Sequence, residues 1–329
     1  MVTMHDVAVR AGVSAKTVSR VFNQDDHVST RTRKAVEAAM QDLKYVPNML
    51  ARTFRAGRAS VIGIAVPDIA DPFFAAIIRE IDQIAQRHAH AIAVTSLGFQ
   101  ETKERATVEA LLRRQMDGLI IAPISMDQGY LATWLQHLPL VFIDREPQNI
   151  VADLFIEHDR DGARIGVSHL VSRGHCRIAF VGDSENVITT RRRLDGYRQA
   201  LTEADLPVEE DLIVLSEPQR AARSIEGLLG RAQAPSAIFS SNSRTSIEIV
   251  PALQRLDRTE VALVSFGDFP MASALRPSVT VLDQDPARLG RAAAERIFAR
   301  LASPNRRYRR RTIFDVVLVE RESSAPSRR

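Results

Sequence analysis

The chain of 329 residues has one cysteine, Cys176, and only four lysines. A single thiol forms no internal disulfide and no cysteine-based zinc site, which excludes a stapled scaffold and points to a reducing compartment. Cys176 stands beside an apolar run and is expected to be a plain buried thiol rather than a nucleophile. No stretch approaches the roughly 18 apolar residues that span a bilayer. The N-terminus MVTMHDVAVRAG lacks the apolar centre of a signal peptide. Together these predict a cytoplasmic protein with no membrane partner. The sequence also lacks G-x-G-x-x-G, G-x-x-x-x-G-K-[ST], H-E-x-x-H and G-x-S-x-G. His88 and His90 are spaced poorly for one metal on one helix face. No reaction is specified, so neither an enzyme nor a cofactor is expected.

Apolar side chains make up 45% of the residues, enough to build two or three domains with sizeable cores and to exclude disorder. The net charge of +4 is unevenly spread. Residues 1–58 carry ten basic side chains against five acidic ones, whereas the remainder is nearly neutral. A basic head on a neutral body predicts that the head meets a polyanion.

The head reads as three short helices. Thr3 can cap the first, which Gly12 stops, and Ser14 can cap the second. In that second helix Val18, Val21 and Phe22 fall at i, i+3 and i+4 and are expected inside. Lys16 and Arg20 stand one turn apart on the other face. Ser29 can cap a third helix that packs through Val36, Ala39, Met40 and Leu43. Two helices on a tight glycine turn, the second polar outside, form a helix-turn-helix pattern. Its second helix fits a major groove, where Lys16 and Arg20 can donate to base edges. Thr17, Ser19, Asn23, His27 and Thr32 are better placed for the DNA backbone.

The run TMHDVAVRAGVSAKTVSRVFNQDDHVS from Thr3 to Ser29, with Thr32-Arg33 and Tyr45-Val-Pro-Asn48 after it, closely resembles the headpiece of the lactose-repressor (LacI/GalR) family. The resemblance implies Ala15, Lys16 and Arg20 as base readers. It implies Thr3, Ser14, Thr17, Ser19, Asn23, His27 and Thr32 as phosphate-side contacts, with Asn48 at the start of a hinge. In that family the hinge becomes helical on the operator and wedges a leucine into a base step. Here the wedge position corresponds to Phe54, a bulkier group that still exchanges unstacking for a bend. An ordinary linker with Phe54 packed on the body is the other reading of this stretch.

From Val61 onward, apolar runs such as VIGIAVP, GLIIAPI, PLVFIDR, RIAFVGD, AIFSSN and VALVSFGD alternate with amphipathic segments. Short Val/Ile/Leu runs between helices read as parallel strands buried on both faces. They give two doubly wound halves, which agrees with the periplasmic-binding-protein-like core that the resemblance implies. The expected organisation is a helix-turn-helix domain over 1–45, a hinge over 46–58, one core lobe from 59–158 with 286–317, a second from 159–285, and a tail over 318–329. The fold class is therefore an all-α headpiece plus an α/β two-lobed core of two doubly wound parallel sheets.

Ligands of open parallel sheets sit beyond the strands' carboxyl ends. The polar or aromatic residues there are Asp71, Phe73, Phe74, Asp144, Arg145, Asp183, Asn242, Asp268 and Gln284, with Arg193 just inside a helix. Such groups suit vicinal hydroxyls and an apolar sugar face. Each also has a structural reading: Asp71 before Pro72 as a helix cap, Phe73 and Phe74 as core, Arg145 as a surface ion-pair partner, Asp268 as a turn cap. Resemblance supports Asp144 in VFIDR, Arg193 in RLDGY, Asn242, and Gln284 in QDP as sugar contacts. Two departures stand out: Gly267-Asp268 in place of Asp-Asp, and Asn242-Ser243-Arg244 in place of Asn-Asp. A lost carboxylate and added arginines suggest an anionic sugar derivative.

The sequence thus predicts an effector-responsive regulator, in the first instance a repressor, that binds a pseudo-palindromic double-stranded operator as a homodimer. The ending ESSAPSRR has no leucine heptad for a tetramer. A sugar-binding transport protein shares the core plan but not the basic head. The run Arg306, Arg307, Arg309, Arg310 and Arg311 has no role in this scheme beyond a solvated loop.

Overall fold

The computed structural model describes residues 4–22, 25, 28–43 and 60–326 and divides the chain into two compact units, Met1–Ala59 and Ser60–Arg329. In the first unit, α1 (Met4–Ala11) and α2 (Ala15–Phe22) are joined by a turn in which Gly12 takes φ +66°, a conformation that costs glycine no Cβ clash. The Ser14 hydroxyl accepts from Thr17 N at 3.1 Å and so caps α2. Ser29 caps α3 (Thr30–Asp42) in the same way through Thr32 N. Val7, Val18 and Val36, one from each helix, are fully buried and form the centre of the small core with Ala8, Val21 and Ala39. Arg33 of α3 donates to the carbonyls of Val21 and Asp25, which locks the end of α2 to α3. The hinge expected over 46–58 lies outside the described residues, and so does the side chain of Phe22.

The second unit holds two six-stranded sheets. The first comprises β1 (Val61–Val66), β2 (Ala91–Ser96), β3 (Gly118–Ile121), β4 (Leu140–Ile143), β5 (Asp153–Glu157) and β11 (Arg311–Phe314), all parallel, in the order β11-β5-β4-β3-β1-β2. The second comprises β6 (Ile178–Gly182), β7 (Ile213–Leu215), β8 (Ala237–Ser240), β9 (Ala262–Phe266), β10 (Thr280–Asp283) and β12 (Val317–Val319), in the order β12-β10-β9-β8-β6-β7, with only β12 antiparallel.

Helices cover both faces of each sheet, as parallel strands require. The first sheet carries α4 (Pro72–Arg87), α5 (Glu101–Leu112) and α10 (Pro286–Ala302). Helices α4 and α10 lie so close that a Cβ on Gly290 would stand 2.6 Å from the Ile77 carbonyl. The second sheet carries α6 (Asp159–Ser172), α7 (Ile188–Glu203), α8 (Pro218–Leu229) and α9 (Ser243–Arg255). The chain passes between the lobes after β5, after β10, and between β11 and β12.

Two expectations are corrected. Residues 318–329 are not simply a tail: β12 adds to β10, and Ser323 and Ser324 are buried, with the Ser323 hydroxyl bonded to Leu263 O and Thr280 N. Burial of these polar groups is offset by a full set of partners. Cys176 is exposed rather than buried, because it precedes β6 in the turn after α6.

Candidate functional site

In the head, the exposed face of α2 presents Ala15, Lys16 and Arg20. The Arg20 side chain is about half exposed, with Nε 3.6 Å from an Asp25 carboxylate oxygen. That ion pair is loose enough to be exchanged for a base edge or phosphate. Ser14 is exposed and Thr17 and Thr32 half-buried; their hydroxyls meet the caps, 2.9 Å for Ser14 to Thr17 and 2.9 Å for Ser29 to Thr32. Thr3, Asn23, His27, Asn48 and Phe54 lie outside the described residues, as does the side chain of Ser19.

In the core, the carboxyl ends of both sheets face a cavity of about 790 Å³, within the range that takes a small ligand. Phe73, Phe74, Asp144, Arg193, Asn242 and Gln284 all line it, as do Asp71, Arg145 and Asp183. Asp268 does not: its carboxylate takes Arg321, at 2.6 Å from Nη2, and caps Phe269 N. The strand-end position was readable, whereas a partner 53 residues further along the chain was not.

Each lining residue has a fixed setting. Asp71 is the N-cap of α4, accepting from Phe73 N at 2.9 Å with Pro72 at N1, so the cap and the pocket wall are the same side chain. Burial pushes its carboxyl up to about 6, against the lowering effects of the Phe73 amide and Arg244. Phe73 and Phe74 meet edge to face at 5.1 Å; Phe74 is buried in the lobe core, and both reach the cavity. Asp144 is buried at φ +62°, a left-handed conformation a non-glycine residue holds only where its surroundings fix it. Asn242 caps α9 through Thr245 N and turns its amide nitrogen to Ser241. Burial raises Asp183 above the usual carboxylate range, against Arg244 and Asn242.

Arg193 is held on every side. Its Nε and Nη2 reach Asp159 Oδ1 at 2.8 and 2.7 Å, its Nη1 reaches Ser241 O at 2.7 Å, and the guanidinium lies 3.8 Å over the Phe266 ring. Beneath it sits an acidic group that sequence reading missed. Glu157 ends β5 at a lobe crossing, fully enclosed, and neither carboxylate oxygen has a partner among the described residues. Burial first, then Asp144 and Asp159, raises it well above the usual range. Asp159 is pushed up to about 6 by burial, despite Arg193. The one signal for this group was a carboxylate at each end of an otherwise apolar DLFIE run.

Gly267, at φ +93°, packs behind Gln284 of the wall: a Cβ there would stand 2.9 Å from Gln284 Oε1. The amide nitrogen of Gln284 is buried without a hydrogen-bond partner among the described residues, as are Asp183 Oδ1 and the Ser216 hydroxyl. Buried polar atoms of both kinds, left open in a cavity, are complementary to a ligand rich in hydroxyls. The lining has three arginines (145, 193 and 244) but six acidic residues. Arg145 lies against Asp144, and Arg244 lies over Phe99.

Comparison with known proteins agrees with this layout. Residues 3–48 match the family described as bacterial regulatory proteins, lacI family, and residues 167–324 match a periplasmic binding protein-like domain. The HTH-type transcriptional regulator GalR of Escherichia coli is 30% identical over 99% of this chain and 97% of its own. The ribose operon repressor of the same organism is 27% identical over 98% of this chain and its own full length. Among solved structures, a lac repressor dimer bound to operator and the anti-inducer ONPF superposes with a TM-score of 0.82 at 28% identity, covering 98% of this chain and 99% of that one.

Proposed function

Since the chain belongs to the lacI family of bacterial regulatory proteins, we propose that it is a transcriptional repressor whose hold on an operator is set by a small polyhydroxylated effector bound between its core lobes. The observation that carries this is the joint presence of a basic helix-turn-helix surface and, in the same chain, a cavity at the facing strand ends with unpartnered donors and acceptors. The head alone would describe a DNA-binding module. The cavity alone would describe a transport receptor.

On the DNA side, Lys16 and Arg20 read base edges from the major groove, Ala15 packs against them, and Ser14, Thr17, Ser19 and Thr32 meet phosphates. Thr3, Asn23, His27, Asn48 and Phe54 complete the interface by resemblance. Two heads on a two-fold axis align with the half-sites of a pseudo-palindrome, so the acting form is a homodimer. On the effector side, Asp144, Asp183, Arg193, Asn242 and Gln284 take hydroxyls, and Phe73 and Phe74 cover an apolar ring face. With twice as many acidic as basic residues in the lining, and each arginine engaged by the protein, the cavity favours a neutral polyol over the anion suggested by the sequence departures. Effector acts only through its different affinity for DNA-competent and incompetent arrangements of the core.

The test is to select bound fragments from the source genome with the full-length protein, then titrate the resulting duplex with neutral sugars and their acid and phosphate forms. A recovered palindrome whose binding shifts with neutral sugars supports the reading. Failure to recover any sequence, or a response to the anionic forms alone, overturns the corresponding half of it.

A further inference from the structure

The loop before β11 carries Arg306, Arg307, Arg309 and Arg310, all exposed. Among the described residues, Arg307, Arg309 and Arg310 have no carboxylate within ion-pair distance, whereas Arg311 pairs with Glu146 at 2.7 Å. The backbone of this loop is held firmly. Asp153, almost fully buried, accepts from Arg296 and Arg300 at 2.8 to 3.0 Å, and these two arginines use their remaining donors on the loop. Arg300 donates to Arg306 O at 3.2 Å, Arg296 to Arg309 O at 2.9 Å, and Leu154 N to Arg310 O at 2.7 Å. Tyr308 is gripped between them, its hydroxyl on Ala299 O and three guanidinium groups within 5.4 Å of its ring centre. A buried carboxylate thus fixes a platform whose outward charges stay unneutralised.

The platform lies at one end of the first sheet. All six strands of the first sheet run parallel, so the loop before β11 is at the amino ends of the strands, opposite the effector cavity. Ser60, where the chain arrives from the head, is at that same end of the sheet. Arg114, exposed in the loop before β3, adds to it, while Arg113 beside it pairs with Glu109 at 3.2 Å and the local Asp117 faces His90. The core's near-neutral total therefore conceals an acidic cavity at one end of the first sheet and a basic surface at the end where its first strand begins.

We infer that this arginine platform is a second DNA contact, sequence-independent and made to the phosphate backbone of duplex bound by the head. The inference rests on the DNA-binding function proposed for the head. It assigns the platform no base preference, because nothing in it is shaped to enter a groove and arginines on a surface neutralise phosphates wherever they meet them.

The experiment uses the full-length protein and a variant with Arg306→Gln, Arg307→Gln, Arg309→Gln and Arg310→Gln. Binding to a 60-base-pair duplex of random sequence is followed by anisotropy between ~50 and ~200 mM salt, a range in which phosphate contacts dominate. Every phosphate that the variant no longer neutralises flattens the slope of log K against log salt by about 0.9. The expected result is a shallower slope and at least about tenfold weaker binding at the low-salt end, with effector affinity unchanged and the slope restored by the four-lysine version. An unchanged slope, with wild-type protein binding the duplex, overturns the inference and leaves the DNA-binding function of the head intact. Wild-type protein that binds no duplex overturns both. A variant that keeps its DNA slope but melts at a lower temperature shows that the arginines serve protein packing instead.

Discussion

Replacing Arg193 by methionine removes the cation hydrogen-bonded to Asp159 within a buried acidic group and tests how the cleft floor is held. The wild-type guanidinium makes hydrogen bonds of 2.8 and 2.7 Å to Asp159 and Ser241 and covers Phe266 at 3.8 Å. Breaking a buried ion pair from one side costs about 3–5 kcal/mol, because the remaining charge stays desolvated. Part of that cost is avoidable by taking up a proton. Asp159 already titrates at about 6 with Arg193 in place, so without it the carboxyl must titrate higher still. A carboxyl with a folded-state pKa above its unfolded value contributes stability that is present at low pH and lost as pH rises through the folded value. The variant's deficit therefore grows between pH 6 and its new pKa, by up to about 1.4 kcal/mol per pH unit. Urea unfolding of both proteins followed by circular dichroism at pH 5.5 and 8 measures this directly. The double variant Arg193→Met with Asp159→Asn, which removes both charges, is expected to recover most of the loss at pH 8. A deficit that does not change with pH, or a double variant as unstable as the single one, refutes the argument that desolvated charge is what Arg193 manages.

Other expectations follow from named contacts. Gly267→Ala puts a Cβ against Gln284 Oε1 at a positive φ, and calorimetry should show effector affinity falling about tenfold or more while operator affinity without effector is kept. Arg20→Ala should cost roughly 1–3 kcal/mol per half-site and relax base preference; an unchanged preference in a binding-site selection would count against the assigned face of α2. Glu157→Gln removes a carboxyl whose folded pKa is raised, so its stability relative to wild type should climb as pH rises above about 4.5; a difference that stays flat in urea midpoints would place the proton elsewhere.

What the sequence allowed and what it hid divide along physical lines. The head was readable because its signals are local: a cap, a glycine turn and an inward triad within eleven residues, and Val18 and Val21 are buried as the spacing requires. The longer apolar runs were readable as strands for the same reason. β5, β10, β11 and β12 were not, since a five-residue strand bounded by Asp153 and Glu157 looks like surface, Thr280–Asp283 is only four residues long, and Val317–Val319 becomes a strand only because β10 offers an edge. In the cleft, strand-end position located most of the lining, but it could not distinguish Asp183, left open to the cavity, from Asp268, claimed by Arg321. Glu157 depended on enclosure by groups from both lobes, and no local pattern encodes that.

The junction between β11 and β12 constrains how the core can move. β11 belongs to one sheet and β12 to the other, and only Asp315 and Val316 separate them. Three Cα-to-Cα steps from Phe314 to Val317 reach at most about 11 Å, so the sheets cannot be pulled apart along this edge. Whatever the effector does to the cleft, the lobes are left with rotation about a short link rather than separation. The link is also the continuation of the strand that begins at Arg311, directly after the arginine loop, so a turn at the pivot and a tilt of that loop are motions of one continuous piece of chain.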